Sequence, residues 1–183
     1  MLKKILLGAV LAIVLIVVVF SVVVAMQPPH YQVERSATIN APQTVVFAQV
    51  NDFHKWEAWS PWAKIDPAMK TTYSGAQSGN GATYSWAGNS DVGEGRMTIT
   101  ESRPSDSIKI KLEFLKPFAA TNATEFSFLP QGDQTAVKWT MSGDKNFMMK
   151  AFSLFMNMDK MVGNDFEKGL AQMMTVAEAA AKQ

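Results

Sequence analysis

The sequence predicts an α+β domain: an antiparallel sheet of about six to seven strands, covered by one long C-terminal helix and held behind a single N-terminal apolar helix. Three patterns carry this. Residues 5–25 contain no charge; between residues 70 and 143 apolar side chains alternate with polar ones; and from 146 to 181 they recur at steps of three and four.

At ~1.5 Å per residue, a helix over 5–25 reaches the ~30 Å hydrocarbon thickness of a bilayer. Its many valines suit lipid, where a helix must bond every backbone group internally. A cleaved secretory signal is the other reading, with Lys3 and Lys4 as its charged region and Val23-Val24-Ala25 as a passable cleavage site. Signal cores run about 7–15 residues, so the longer run here favours an uncleaved anchor. Either way the rest of the chain is exported, secreted if the segment is cut. As an anchor the protein is single-pass, with Lys3 and Lys4 holding its N-terminus in the cytoplasm. The expected organisation is an anchor at 1–26, a short Pro-rich spacer at 27–31 and one domain at 32–183.

The chain has 17 basic and 16 acidic residues; setting aside Lys3 and Lys4 leaves 15 against 16. That balance supplies no basic stripe for nucleic acid. With no cysteine, disulfides, thiolate catalysis and cysteine metal sites are excluded. The two histidines, His30 and His54, read as solvated, no cofactor fingerprint occurs, and oligomeric state is not legible.

Within the domain, Val33, Ala37 and Ile39 share one face of a first strand. Pro42 suits the first turn of a short helix over 43–52, whose Val46 and Val50 lead on to Phe53. Next come Trp56, Trp59 and Trp62, three of the five tryptophans, broken by Pro61 and Pro67. Their spacing of three fits a plug at the open end of a sheet, with a pocket rim or a membrane contact as alternatives. In the meander, Tyr84, Trp86, Met97, Ile99, Ile108, Ile110, Leu112, Phe114, Phe126, Phe128, Val137, Trp139 and Met141 fall on the dry face. Lys109, Lys111, Glu113, Glu125, Ser127, Lys138 and Thr140 fall on the wet one. Glu94 and Arg96 share a strand face and are expected to pair. In the terminal helix Met148, Phe152, Phe155, Met158, Val162, Phe166, Leu170, Met173 and Ala177 form an apolar stripe. A break is expected at Gly163 and Asn164, where Asn164 and Glu167 resemble a capping box.

The ordered set of Ala41-Pro42, Phe53, Trp56, Trp59-Ser60-Pro61-Trp62, Tyr73-Ser74-Gly75, Tyr84-Ser85-Trp86, the stretch 93–99, the stretch 135–140 and the Met-rich last helix resembles the START-like superfamily. This superfamily is also called SRPBCC, or polyketide cyclase/dehydrase and lipid-transport proteins. The resemblance covers about 33–178 and implies a helix-grip fold, in which a curved sheet wraps the C-terminal helix around a space for lipids or other apolar molecules. It implies no shared catalytic residues.

The residues expected to line that space are Trp59, Tyr84, Trp86, Met97, Phe114, Phe126, Trp139, Phe152 and Phe155. Rings with a few polar tips are how apolar small-molecule sites are built. An enzyme of cyclase, dehydratase or hydrolase type would need an acid or base inside, for which Asp52, Glu57, Glu94 and Glu101 are the weak candidates. A packed domain serving only protein interaction is the third alternative. Asn122-Ala123-Thr124 matches a glycosylation sequon and is read as chance.

Overall fold

The computed structural model describes residues 2–182, so Met1 and Gln183, the outer ends of the expected anchor and domain, lie outside the described residues. The chain divides into two compact units. One takes in the chain up to Tyr31 together with Asp144–Asn157; the other takes in Gln32–Gly143 and the chain from Met158 onward.

The first unit carries α1 (Leu2–Ala25), whose stretch Lys3–Ala25 is long and apolar enough to cross a membrane. It also carries α2 (Phe147–Ser153), capped by Asn146, whose side chain accepts from the Met149 amide. These two helices pack together.

In the second unit, apart from the first residues of β1 and the last of β7, an open seven-stranded antiparallel sheet runs in the order β1-β7-β6-β5-β4-β3-β2. The strands are β1 (His30–Ile39), β2 (Lys70–Gly75), β3 (Ala82–Ala87), β4 (Glu94–Arg103), β5 (Ser107–Lys116), β6 (Ala120–Gln131) and β7 (Gln134–Asp144). After β1 the chain crosses to the far edge through α3 (Gln43–Asn51) and a 3-10 turn over Phe53–Ala58, and then meanders back. Pro42 is the N-cap of α3 and not a residue of its first turn; its carbonyl accepts from the amides of Val45 and Val46.

Two irregularities bend the middle of the sheet. The β4–β5 register shifts between Glu94 and Gly95 and again between Ile99 and Glu101. Extra residues of this kind raise local twist and curvature.

The last helix, α4 (Met158–Ala180), presents Gly163, Phe166, Gly169, Leu170, Met173 and Ala177 as one buried stripe. It runs unbroken through Gly163 and Asn164, which corrects the expected break; the interruption lies between Ser153 and Met158 instead. The reason is a tertiary contact. The Arg35 guanidinium of β1 lies over Gly163, where any Cβ would collide with it. It donates to Asp159 at 3.0 Å and to Glu167 at 2.6 Å, so the glycine makes room for a cation and does not stop the helix. Both carboxylates push the Arg35 pKa upward, with the Asp159 hydrogen bond leading. Conversely, Arg35 holds the Asp159 carboxyl below its usual range.

Candidate functional site

The strand registers sort the inner face into cross-strand rows. One half is packed. Ile108 pairs with Phe126 and Phe126 with Trp139; Ile99 pairs with Ile110, and Phe128 with Val137. All seven are almost completely buried. The Trp139 ring is sandwiched between Phe166 of α4 at 3.9 Å and Phe126 at 4.7 Å. Trp59 meets the edges of Phe126 and Trp139, and Trp62 meets those of Trp139 and Phe166. Trp59 is fully enclosed, with its indole N–H donating to the Gln49 carbonyl at 3.0 Å, and Trp56 donates to Val50 at the same distance. The tryptophan stretch therefore packs as a plug, and Trp59, Phe126 and Trp139 are buried.

The other half is open. One row runs Tyr73–Tyr84–Met97–Leu112–Asn122–Gly143 across six strands, and the next runs Thr71–Trp86–Gly95–Phe114–Ala120. Tyr84, Trp86, Met97, Leu112 and Phe114 are half-buried, and Tyr73 is 37% exposed. Four of the nine predicted lining residues, Tyr84, Trp86, Met97 and Phe114, thus share one partly exposed aromatic and aliphatic surface.

Gly95 lets that surface exist. A Cβ there would strike the Trp86 ring and come within 2.7 Å of the Glu113 carbonyl oxygen, so the indole lies flat across bare backbone. The Trp86 N–H donates to Val92 at 3.0 Å and the ring meets Phe114 edge-on at 6.0 Å. Asp66 fixes the rim. It is 8% exposed and accepts from the backbone N–H groups of Ala68 and Asn89, tying the loop after the tryptophans to the β3–β4 turn. Sequence reasoning missed Asp66, whose bond to Ala68 is a local turn but whose bond to Asn89 reaches across to another loop.

Polar tips punctuate the surface. Burial raises the Tyr84 phenol to about 12, with the Tyr73 and Glu57 charges adding to it. Burial likewise raises Tyr73, which stacks on His54 at 4.1 Å. Asn122 and Thr124 are buried and share the face of Phe126 and Phe128, which the alternation of β6, extended two steps back, would have revealed. A buried Asn122 fits the sequon being chance. Among the described residues, Trp139 Nε1 is the one buried side-chain nitrogen or oxygen without a hydrogen-bond partner.

Of the candidate acids and bases, Glu57 and Asp52 lie near enough for their charges to act on Tyr73, and Glu57 on Tyr84 as well. Asp52 caps the 3-10 turn and accepts from His54 at 2.8 Å, Glu94 pairs with Lys116, and Glu101 pairs with Lys109 and Arg103. Arg96 takes Glu113, so the expected Glu94–Arg96 pair does not form; the register sets each opposite a nearer partner across the strand. No group of three or more His, Cys, Asp or Glu that could hold a metal occurs among the described residues. Phe152 and Phe155 belong to the other compact unit and are 54% and 79% exposed.

A family model described as polyketide cyclase / dehydrase and lipid transport matches residues 30–178. No curated protein matches the chain. Among solved structures, a protein of Thermus thermophilus superposes with a TM-score of 0.60 at 16% identity, over 82% of this chain and 99% of its own. A protein of Nitrosospira multiformis gives 0.58 at 18% identity, over 84% and 100%. The di-domain aromatase/cyclase StfQ of the steffimycin biosynthetic pathway gives 0.59 at 12% identity, over 85% of this chain and 53% of its own. At these identities the likeness is one of fold, the helix-grip.

Proposed function

The chain belongs to the polyketide cyclase / dehydrase and lipid transport family, and from that premise we propose that its domain binds a lipid or other hydrophobic small molecule on the open half of the inner face, without chemistry. The observation that carries this is the row of half-buried Tyr84, Met97 and Leu112 beside Trp86 and Phe114. Large apolar side chains gathered on one face, with few polar tips, are the ordinary composition of such a site. Covering about 300 Å² of apolar surface contributes about 7 kcal/mol before the entropic costs of binding.

Binding is favoured over catalysis because the ionisable groups of the two open rows are the phenols of Tyr73 and Tyr84, both pushed away from ionisation. Three of the four candidate carboxylates, Asp52, Glu94 and Glu101, are engaged with cations or caps, which leaves Glu57 as the one near the phenols. We further propose that α1 anchors the protein in a membrane as a single span, its N-terminus on the Lys3 and Lys4 side and the domain exported.

Native mass spectrometry of residues 27–183, followed by titration with fluorescent fatty acids and phospholipids, tests the binding reading. A co-purifying apolar passenger, or micromolar affinity abolished by filling the open rows, is the expected result. A protein that carries nothing and binds nothing sinks it.

A further inference from the structure

The first compact unit holds a feature that packing does not explain. Helix α2 has no buried residue, although residues 147–156 include Phe147, Met148, Met149, Ala151, Phe152, Leu154, Phe155 and Met156. Five of these are large and open: Phe147 at 52%, Met148 at 61%, Phe152 at 54%, Phe155 at 79% and Met156 at 47% exposed. A contiguous patch of this kind marks an interaction surface.

Its place identifies the occupant. Helix α2 packs on α1, and Lys150 Nζ donates to the carbonyl of Ala25, the last residue of α1. The exposed rings therefore stand beside the end of the apolar helix, at the depth where a spanning helix leaves hydrocarbon for headgroups. Lys145 is tied to the same end, its amide donating to Pro29 at 2.7 Å. Exposed aromatic and methionine side chains interspersed with lysines are the pattern of an interfacial helix.

We propose that residues 147–156 are a second membrane element, lying in the headgroup–acyl boundary of the leaflet where α1 emerges. This rests on α1 spanning a bilayer. It assigns Phe152 and Phe155 to lipid contact in the membrane plane, in place of the cavity lining that their spacing suggested.

The absence of cysteine makes the test clean. Single variants Phe155→Cys, Met148→Cys, Ile13→Cys and Ser78→Cys of the full chain are spin-labelled and reconstituted into phosphatidylcholine vesicles containing a minor share of phosphatidylglycerol. Each label's accessibility to dissolved oxygen, which concentrates in lipid, is compared with that to a water-soluble nickel complex. All four positions are exposed, so labelling disturbs no core. The expected oxygen-to-nickel ratios are highest at Ile13 and lowest at Ser78, with Phe155 and Met148 between them and several-fold above Ser78. Ratios at Phe155 and Met148 equal to Ser78, with Ile13 in lipid, overturn the interfacial helix and leave the anchor standing. Labels at 148 and 155 shielded from both reagents place another protein surface, such as a second copy, on the patch and also overturn it. A water-like ratio at Ile13 removes the anchor itself, and with it this inference.

Discussion

The two halves of the inner face are built from the same strands, yet they do opposite things. On β5, Ile108 and Ile110 are sealed while Leu112 and Phe114, further along the same face, stay half-open. On β4, Ile99 is sealed and Met97 is not. Composition is nearly constant along each strand, so the difference comes from what lies above it. Helix α4 and the tryptophan plug cover the rows through Phe126 and Trp139. The rows through Tyr84 and Trp86 keep their rings in view, floored at Gly95 and edged by Asp66. Alternation decides which face a side chain takes; only the covering elements decide whether that face becomes core or site.

The sharpest way to break this comparison is to truncate one ring in each half. Phe126→Ala is expected to cost about 3–5 kcal/mol in urea unfolding, since its neighbours cannot collapse into the hole. Phe114→Ala, partly exposed already, should cost less, about 1–2 kcal/mol, its share of the transfer term. Equal losses would mean that both halves are packed core and that no site exists. Affinity should divide the other way: Trp86→Ala and Phe114→Ala are each expected to weaken an apolar ligand by about tenfold, or ~1.4 kcal/mol. The milder Phe126→Leu, which keeps the core filled enough to fold, should bind almost normally.

The rim gives an intermediate effect. Asp66→Ala leaves the amides of Ala68 and Asn89 without their acceptor and should cost about 1–3 kcal/mol. Hydrogen exchange should quicken in the β3–β4 turn and leave β6 and β7 unchanged. Quickening spread over the whole sheet would show that Asp66 supports the core and not the rim.

These contrasts also measure what the sequence could tell. The seven strands, the faces of their residues and the terminal stripe from Phe166 to Ala177 were legible, because periods of two and of about 3.6 are written locally. The stripe misled further back: Met148, Phe152 and Phe155 keep helical spacing but serve a different surface. Gly163 read as a break because its purpose, room for Arg35, depends on a residue on β1. The true interruption carried a weak local sign in Asn157, a capping residue type directly before α4. Trp59 and Phe126, expected to line a space, are fully buried, since periodicity cannot say where a helix will lie.

The smallest expected effect is spectroscopic, and it probes the open half without truncating it. An unfolded tyrosine ionises near pH 10. Burial, aided by the charges of Tyr73 and Glu57, raises Tyr84 to about 12, so the fold favours its neutral phenol. The sign follows from that: the stability gained by keeping Tyr84 neutral is complete below about pH 10 and is lost as pH rises through about 12. An alkaline titration of tyrosinate absorbance should therefore contain a late step that Tyr84→Phe removes, while the raised Tyr73 step stays. A ligand seated on the Tyr73–Tyr84–Met97–Leu112 row would desolvate the phenol further and push that late step higher still. If saturating ligand leaves it in place, the ligand lies elsewhere, and the open half of the sheet is not where the molecule is held.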